Sequence, residues 1–253
     1  MHPLLTRLDD WLASNRPEYH AGLRPGAADS AIDEIARRID GELPPLLRSL
    51  LVWHDGHVDT NTACLESYWC PMSAEGIVDT LDMIADMVEY EDFADEWGID
   101  WVPFLENQFG DYVCIDLHGA FDGTPGQIVE FHHDGDYRTI TFPSLQAWLE
   151  TLVTALESGM YEVEEDGRPQ VVDDAAYEAL VADRHPGYPI DIQLADYASD
   201  ERESDAAKVS HITNHIAHAV DLDRLRTTLR DLGQGSAVLD SAFGITASTR
   251  PTS

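Results

Sequence analysis

The apolar positions of the first part of the chain alternate between helical and strand periods, broken at Pro and Gly. Leu4, Leu5, Leu8, Trp11 and Leu12 recur at helical spacing and predict an amphipathic helix over 4–14, closed by Pro17. Pro25-Gly26 marks a loop. Ser30-x-x-Asp33 offers a capping box to a second helix carrying Ile32, Ile35, Ala36 and Ile39, which Gly41 ends. Leu43-Pro44-Pro45 opens a third, with Leu46, Leu47, Leu50 and Leu51 inward and Asp55-Gly56 at its exit; prolines are tolerated in a first turn. Thr62–Trp69 reads as a strand bounded by Pro71. Ser73 caps the next helix, where Ile77, Leu81, Ile84 and Val88 follow the 3.6-residue period.

Four short β-like runs follow, at Asp100–Leu105, Tyr112–Leu117, Gln127–His132 and Tyr137–Phe142, the last two separated by the turn dipeptide Asp134-Gly135. Ser144 then caps a helix bearing Leu145, Trp148, Leu149, Leu152, Val153 and Leu156, with Gly159 past its end. The connections between strands are too short for helical crossovers. The expected fold is therefore α+β, an antiparallel sheet of about four to six strands flanked by N-terminal helices and a closing helix.

After Gly159 the character changes. Glu162–Asp166 is acidic, 173–183 and 205–232 look helical, and Leu222, Leu225, Leu229 and Leu232 form a stripe. From Gly233 onward Gly, Ser, Thr and Ala dominate, so 245–253 is expected to be mobile. The reading is a domain over 1–160 and a mostly helical C-terminal extension over 161–253.

Charge changes the picture. The chain of 253 residues carries 15 Lys plus Arg against 48 Asp plus Glu, a formal charge of −33. That excludes the basic face needed by readers of nucleic acid and by proteins that settle on anionic membranes. Residues 49 to 137 hold 20 acidic side chains and no Lys or Arg, most densely at Glu89, Glu91, Asp92, Asp95, Glu96 and Asp100. Local ion pairing is impossible there, so these carboxylates repel one another unless distant arginines, counterions or a basic partner offset them. Three readings stay open: a solvated loop serving solubility, genome-wide salt adaptation (Lys208 is the only lysine), or a docking surface for a basic protein. Under the third, Tyr90 and Trp97 within the run are the aromatic anchors.

MHPLLTRLDDWLASNR lacks the unbroken apolar stretch of a secretory signal, and no segment is apolar enough to span a membrane, so the cytoplasm is expected. Cys64, Cys70 and Cys114, an odd count without CxxC spacing, then read as reduced structural thiols.

No residue set spells out a reaction. His132-His133-Asp134-Gly135-Asp136 contains metal-ligand residue types, but neighbours on a hairpin point to opposite faces, which favours a polar turn. His54, Asp55, His57 and Asp59 follow a helix end and suit a polar exit as well as a pocket. His211, His215 and His218 share one helix face, the arrangement of a zinc-holding HxxxH pair, but no Glu follows the first histidine as in HExxH. Asp111 and Asp116 would stand about 16 Å apart along a strand, beyond the roughly 5–9.5 Å of a glycosidase pair. No phosphate loop occurs. Neither catalytic residues nor a metal or other cofactor are expected, His211, His215 and His218 being the alternative.

Three blocks carry a resemblance. LPPLLRSLLVWHDG at 43–56, WVPFLENQFGDYVCIDLHG at 101–119 and GQIVEFHHDGDYRTITFPSLQAWLETLVTALESG at 126–159 resemble, in order, the signature segments of the SUKH superfamily. That group includes yeast cell-wall-assembly regulators and many bacterial immunity proteins. The matching positions are Leu43, Pro44, Trp53 and Gly56, then Trp101, Pro103, Gly110, Asp111 and Asp116, then Gly126, Trp148 and Leu149. The resemblance covers about residues 1–160 and implies an α+β protein-binding module, not a catalyst, with these positions structural. The expected partner is a basic protein, toxin-like in the immunity reading, with no nucleic acid and no membrane. The alternative is a regulatory scaffold.

Overall fold

A computed structural model of the protein describes residues 1–59, 64–89, 97–98, 100–165 and 167–194, without the side chain of Glu89. These residues belong to one unit, Met1–Ala198. Helix α1 (Pro3–Asn15) buries Leu4, Leu5, Leu8 and Leu12, the stripe its spacing predicts. Pro17 does more than close it, because it sits in the first turn of a second helix, α2 (Pro17–Gly22). Helix α3 (Asp29–Arg38) buries Ile32 and Ile35, but it begins at Asp29 behind Ala28, so the Ser30–Asp33 capping box is not used. Pro44 caps α4 (Pro45–Trp53), whose Leu47, Leu50 and Leu51 point inward.

The strand expected over 62–69 is not there in its described part. Residues 64–69 make a tight turn in which Trp69 N–H donates to the Glu66 carbonyl at 2.7 Å and Leu65 N–H to the Trp69 carbonyl at 2.8 Å. Ser67 has φ +44°, which no strand accommodates. Pairing starts only at β1 (Cys70–Pro71). Helix α5 (Ala74–Glu89) is capped as expected: Gly76 N–H donates to Ser73 Oγ at 3.1 Å. Asp55 adds a second cap from a distance, accepting from Ala74 N–H at 2.7 Å.

Strands β2 (Trp101–Glu106), β3 (Tyr112–Asp116), β4 (Gln127–Phe131) and β5 (Tyr137–Phe142) lie where the apolar runs place them, followed by α6 (Leu145–Glu157). A small hairpin, β6 (Tyr161–Val163) with β7 (Pro169–Val171), leads to α7 (Asp174–Arg184) and β8 (Ile190–Gln193). The main sheet is antiparallel, in the order β1-β2-β3-β4-β5-β8. β3 is buried at every position, which is why its sequence is a continuous apolar run rather than an alternation. Helix α5 packs on β2, while α6 covers β4 and β5 and meets α1, α4 and α7.

The composition change after Gly159 is therefore not a break in packing. Ile190 pairs with Ile140 and Ile192 with Arg138, so residues beyond 160 supply the sixth strand. The expected helix at 205–232, with His211, His215 and His218, and the tail at 245–253 lie outside the described residues.

Candidate partner-binding surface

The apolar side of α5 seats the helix: Ile77 is fully buried and Ile84 nearly so. Its reverse side carries Glu75, Asp79, Asp82 and Asp86, all exposed and spaced four, three and four residues apart, hence on one face. Met83 and Met87, 43% and 40% exposed, sit beside them. Arg38 of α3 grips Asp82 through Nε at 2.6 Å and Nη2 at 3.1 Å, and it also pairs with Glu34. Among the described residues no ion pair reaches Glu75, Asp79 or Asp86. This stripe was legible in the same spacing that defines the helix, but the apolar periodicity draws the eye to the opposite side.

The stripe runs toward the carboxylate-rich segment. Glu89 ends α5, its side chain undescribed, and Tyr90, Glu91, Asp92, Asp95 and Glu96 lie outside the described residues. Trp97 returns to view as a core residue, 5% exposed, with ring centroids 4.9 Å from Phe131, 5.7 Å from Tyr112 and 5.8 Å from Trp101. The expectation that it stands out as an anchor is corrected. An indole surrounded in sequence by carboxylates still has more to gain from an apolar wall than from water. Asp100 is half-buried, its Oδ2 2.9 Å from His118 Nδ1. A different aromatic is exposed, Phe109, at 76% in the turn between β2 and β3.

The residues of the three signature blocks lie in turns, strands and the packed core. Asp116, 1% exposed, accepts backbone N–H bonds from His118 at 3.0 Å, Gly119 at 2.9 Å and Ala120 at 2.5 Å, and a side-chain bond from Gln127 at 2.8 Å. Asp111 accepts from Asn107 Nδ2 at 2.7 Å and from the His133 backbone at 3.0 Å. Gly56, at φ +74°, runs so close to Pro71 and Ser73 that a Cβ would meet their backbone at 3.2 and 3.1 Å. Gly110 and Gly126 turn the chain at φ +94° and +90°. Trp101, Trp148 and Leu149 are buried, Pro103 lies inside β2, and Leu43 and Trp53 pack partly buried against the core.

The two histidine sets within the described residues resolve differently from each other. His132 and His133 do converge, because β4 ends at Phe131 and strand alternation no longer holds beyond it. Their Nδ1 atoms lie 3.5 Å from Asp111 Oδ2 and 2.8 Å from Asp111 Oδ1. Burial pushes the Asp111 carboxyl up, but the bonds from His133 and Asn107 outweigh it and hold the group below the usual range. His132 is raised chiefly by Glu130, and His133 by Asp111. By contrast, His54, Asp55, His57 and Asp59 do not form one pocket. Asp55 caps α5, and His57 stacks on Tyr19 with Nε2 3.0 Å from the Tyr19 carbonyl. The Asp59 backbone N–H donates to His57 Nδ1 at 3.0 Å, while His54 turns away toward Asp9.

The surface is thus an acidic helix face. Comparison with known proteins decides the lineage: residues 26–151 match the SMI1 / KNR4 family (SUKH-1). Those residues form a SUKH-1 domain. A relative, KNR4/SMI1 homolog 2 of Debaryomyces hansenii, is 32% identical over 66 residues, 26% of this chain. The match spans 11% of that relative's length. SUKH-1 domains are typically protein-interaction modules. Among the described residues no helix is long and apolar enough to cross a membrane.

Proposed function

We propose that this protein is a non-catalytic binding module that captures a basic protein of the nuclease-toxin type and masks it. The capturing surface is the α5 stripe of Glu75, Asp79 and Asp86 together with Glu89, Tyr90, Glu91, Asp92, Asp95, Glu96 and Asp100. Trp97 takes no part in it, being in the core. The observation that carries this reading is the helix face of exposed carboxylates with no Lys or Arg between 49 and 137 to neutralise them locally. Such a face steers a cationic partner into encounter, while Met83 and Met87 on the same helix offer apolar contact once water is displaced.

The test begins with recovery of the partner by pull-down from the native host. Association kinetics are then measured at low and physiological salt, where exposed charges are screened over about 8 Å. Neutralising Glu75, Asp79, Asp86, Glu91 and Asp92 together should slow association about tenfold or more, with a smaller effect on dissociation. Binding indifferent to both salt and neutralisation would overturn the reading. The local match to a fungal KNR4/SMI1 homologue favours a second reading, a regulatory scaffold with no toxin partner. Gene context separates the two, since an immunity protein sits beside the gene of its toxin.

A further inference from the structure

On the helical side of the molecule, three side chains from three separate elements meet. Asp9 comes from α1, His20 from α2, and His54 from the residue after α4. His20 Nε2 is 3.1 Å from Asp9 Oδ1, His54 Nε2 is 3.5 Å from the same oxygen, and the donor atoms of all three lie within 4.8 Å of one another.

The protonation of His54 is fixed by its other nitrogen. Nδ1 lies 2.6 Å from the Arg24 carbonyl oxygen, which can only accept, so Nδ1 carries the ring proton. In the neutral ring Nε2 is then a bare lone pair, and it faces a carboxylate. Two acceptors set side by side are the arrangement that a metal ion placed between them satisfies. A backbone-anchored Nδ1–H with Nε2 free is also how metal-ligating histidines are oriented.

The carboxylate is held as well. Trp53 Nε1 donates to Asp9 Oδ1 at 2.9 Å and fixes the carboxylate plane. Tetrahedral zinc bonds of 2.0–2.1 Å put neighbouring ligand atoms about 3.3–3.4 Å apart. The observed 3.1 and 3.5 Å bracket that edge. The side chains are 30%, 31% and 21% exposed for Asp9, His20 and His54, open enough for an ion to enter and to keep a water as fourth ligand.

We propose that Asp9, His20 and His54 form a binding site for a zinc-class divalent cation. Two imidazoles and one carboxylate suit zinc and its late first-row neighbours over calcium or magnesium, which prefer all-oxygen shells. The ion clips α1, α2 and the end of α4 together, with no bearing on whether α5 binds a partner.

The experiment uses the full chain, stripped with a chelator and titrated with zinc by calorimetry, with thermal unfolding and the ring-nitrogen NMR signals of the histidines followed in parallel. Wild type should take up zinc, unfold at higher temperature with it, and shift the Nε2 signals of His20 and His54. The His211→Ala, His215→Ala, His218→Ala triple variant should keep this behaviour. His20→Ala with His54→Ala should weaken binding more than about 100-fold, and Trp53→Phe, which leaves all three ligands, about tenfold. Should the double variant fail to fold, the wild-type NMR shifts decide. No uptake by wild type would overturn the site. So would uptake that survives the double variant, uptake lost only in the triple variant, or a His54 signal that reports a second ring proton and no response to zinc.

Discussion

Trp148 Nε1 donates to Glu66 Oε1 at 2.6 Å, tying α6 to the turn at 64–69. Tyr161 donates from its hydroxyl to the other oxygen at 3.2 Å, so β6 is held at the same point. Glu66 is 8% exposed, and burial pushes its carboxyl up to about 7, more than these two bonds and against the usual 4.5.

The sign of the consequence follows from proton binding. The folded chain holds a proton on Glu66 that the unfolded chain releases, so this group's contribution is full below about pH 4.5 and is lost as pH rises to about 7. Glu66→Gln should therefore be the more stable protein at pH 8, by on the order of 3 kcal/mol, with the gap closing by pH 4.5. Urea unfolding of both proteins across that range checks it; a gap constant with pH would refute the assignment.

Trp97→Ala should cost about 3–5 kcal/mol, because it opens a cavity among Trp101, Tyr112 and Phe131. Denaturant midpoints measure it. A loss near zero would return Trp97 to the surface.

Asp116→Ala strands three backbone donors and the Gln127 amide in a buried turn. The expected loss is about 3 kcal/mol or more. Amide exchange should speed up first at residues 118–120.

Cys64, Cys70 and Cys114 are buried, and no disulfide joins them. The Cys64 contact, with Sγ atoms 2.7 Å apart, raises the Cys70 thiol, as does burial, and burial raises Cys114. Thiolate being the reactive form, none should react with an aromatic disulfide reagent at pH 8 until urea is added, when all three should. One reactive thiol in urea instead of three would mean that Cys64 and Cys70 are joined.

The sheet could be read from the chain because Tyr112–Asp116 and Gln127–Phe131 are apolar runs long enough only for strands, with turn residues between them. Leu65 and Trp69 misled because an inward-facing turn and a strand both alternate over so few positions. Trp97 misled because its neighbours in sequence are not its neighbours in space. The acidic face of α5 was readable from spacing, whereas Asp9, His20 and His54 share no periodicity, since each sits on a different helix or helix end. β8 was unreadable for another reason: four residues, three of them exposed, carry too little pattern to announce a strand.

That short strand has a practical meaning for anyone trimming the gene. Cutting at 160 would strip the outer rail from Tyr137–Phe142 and leave its amides and carbonyls bare, an invitation to stack against a second molecule. Fragments of that length should elute as aggregates, where those carried to 194 should not. The stretch 26–151 that identifies the domain stops short of the strand at Ile190–Gln193 that completes its sheet.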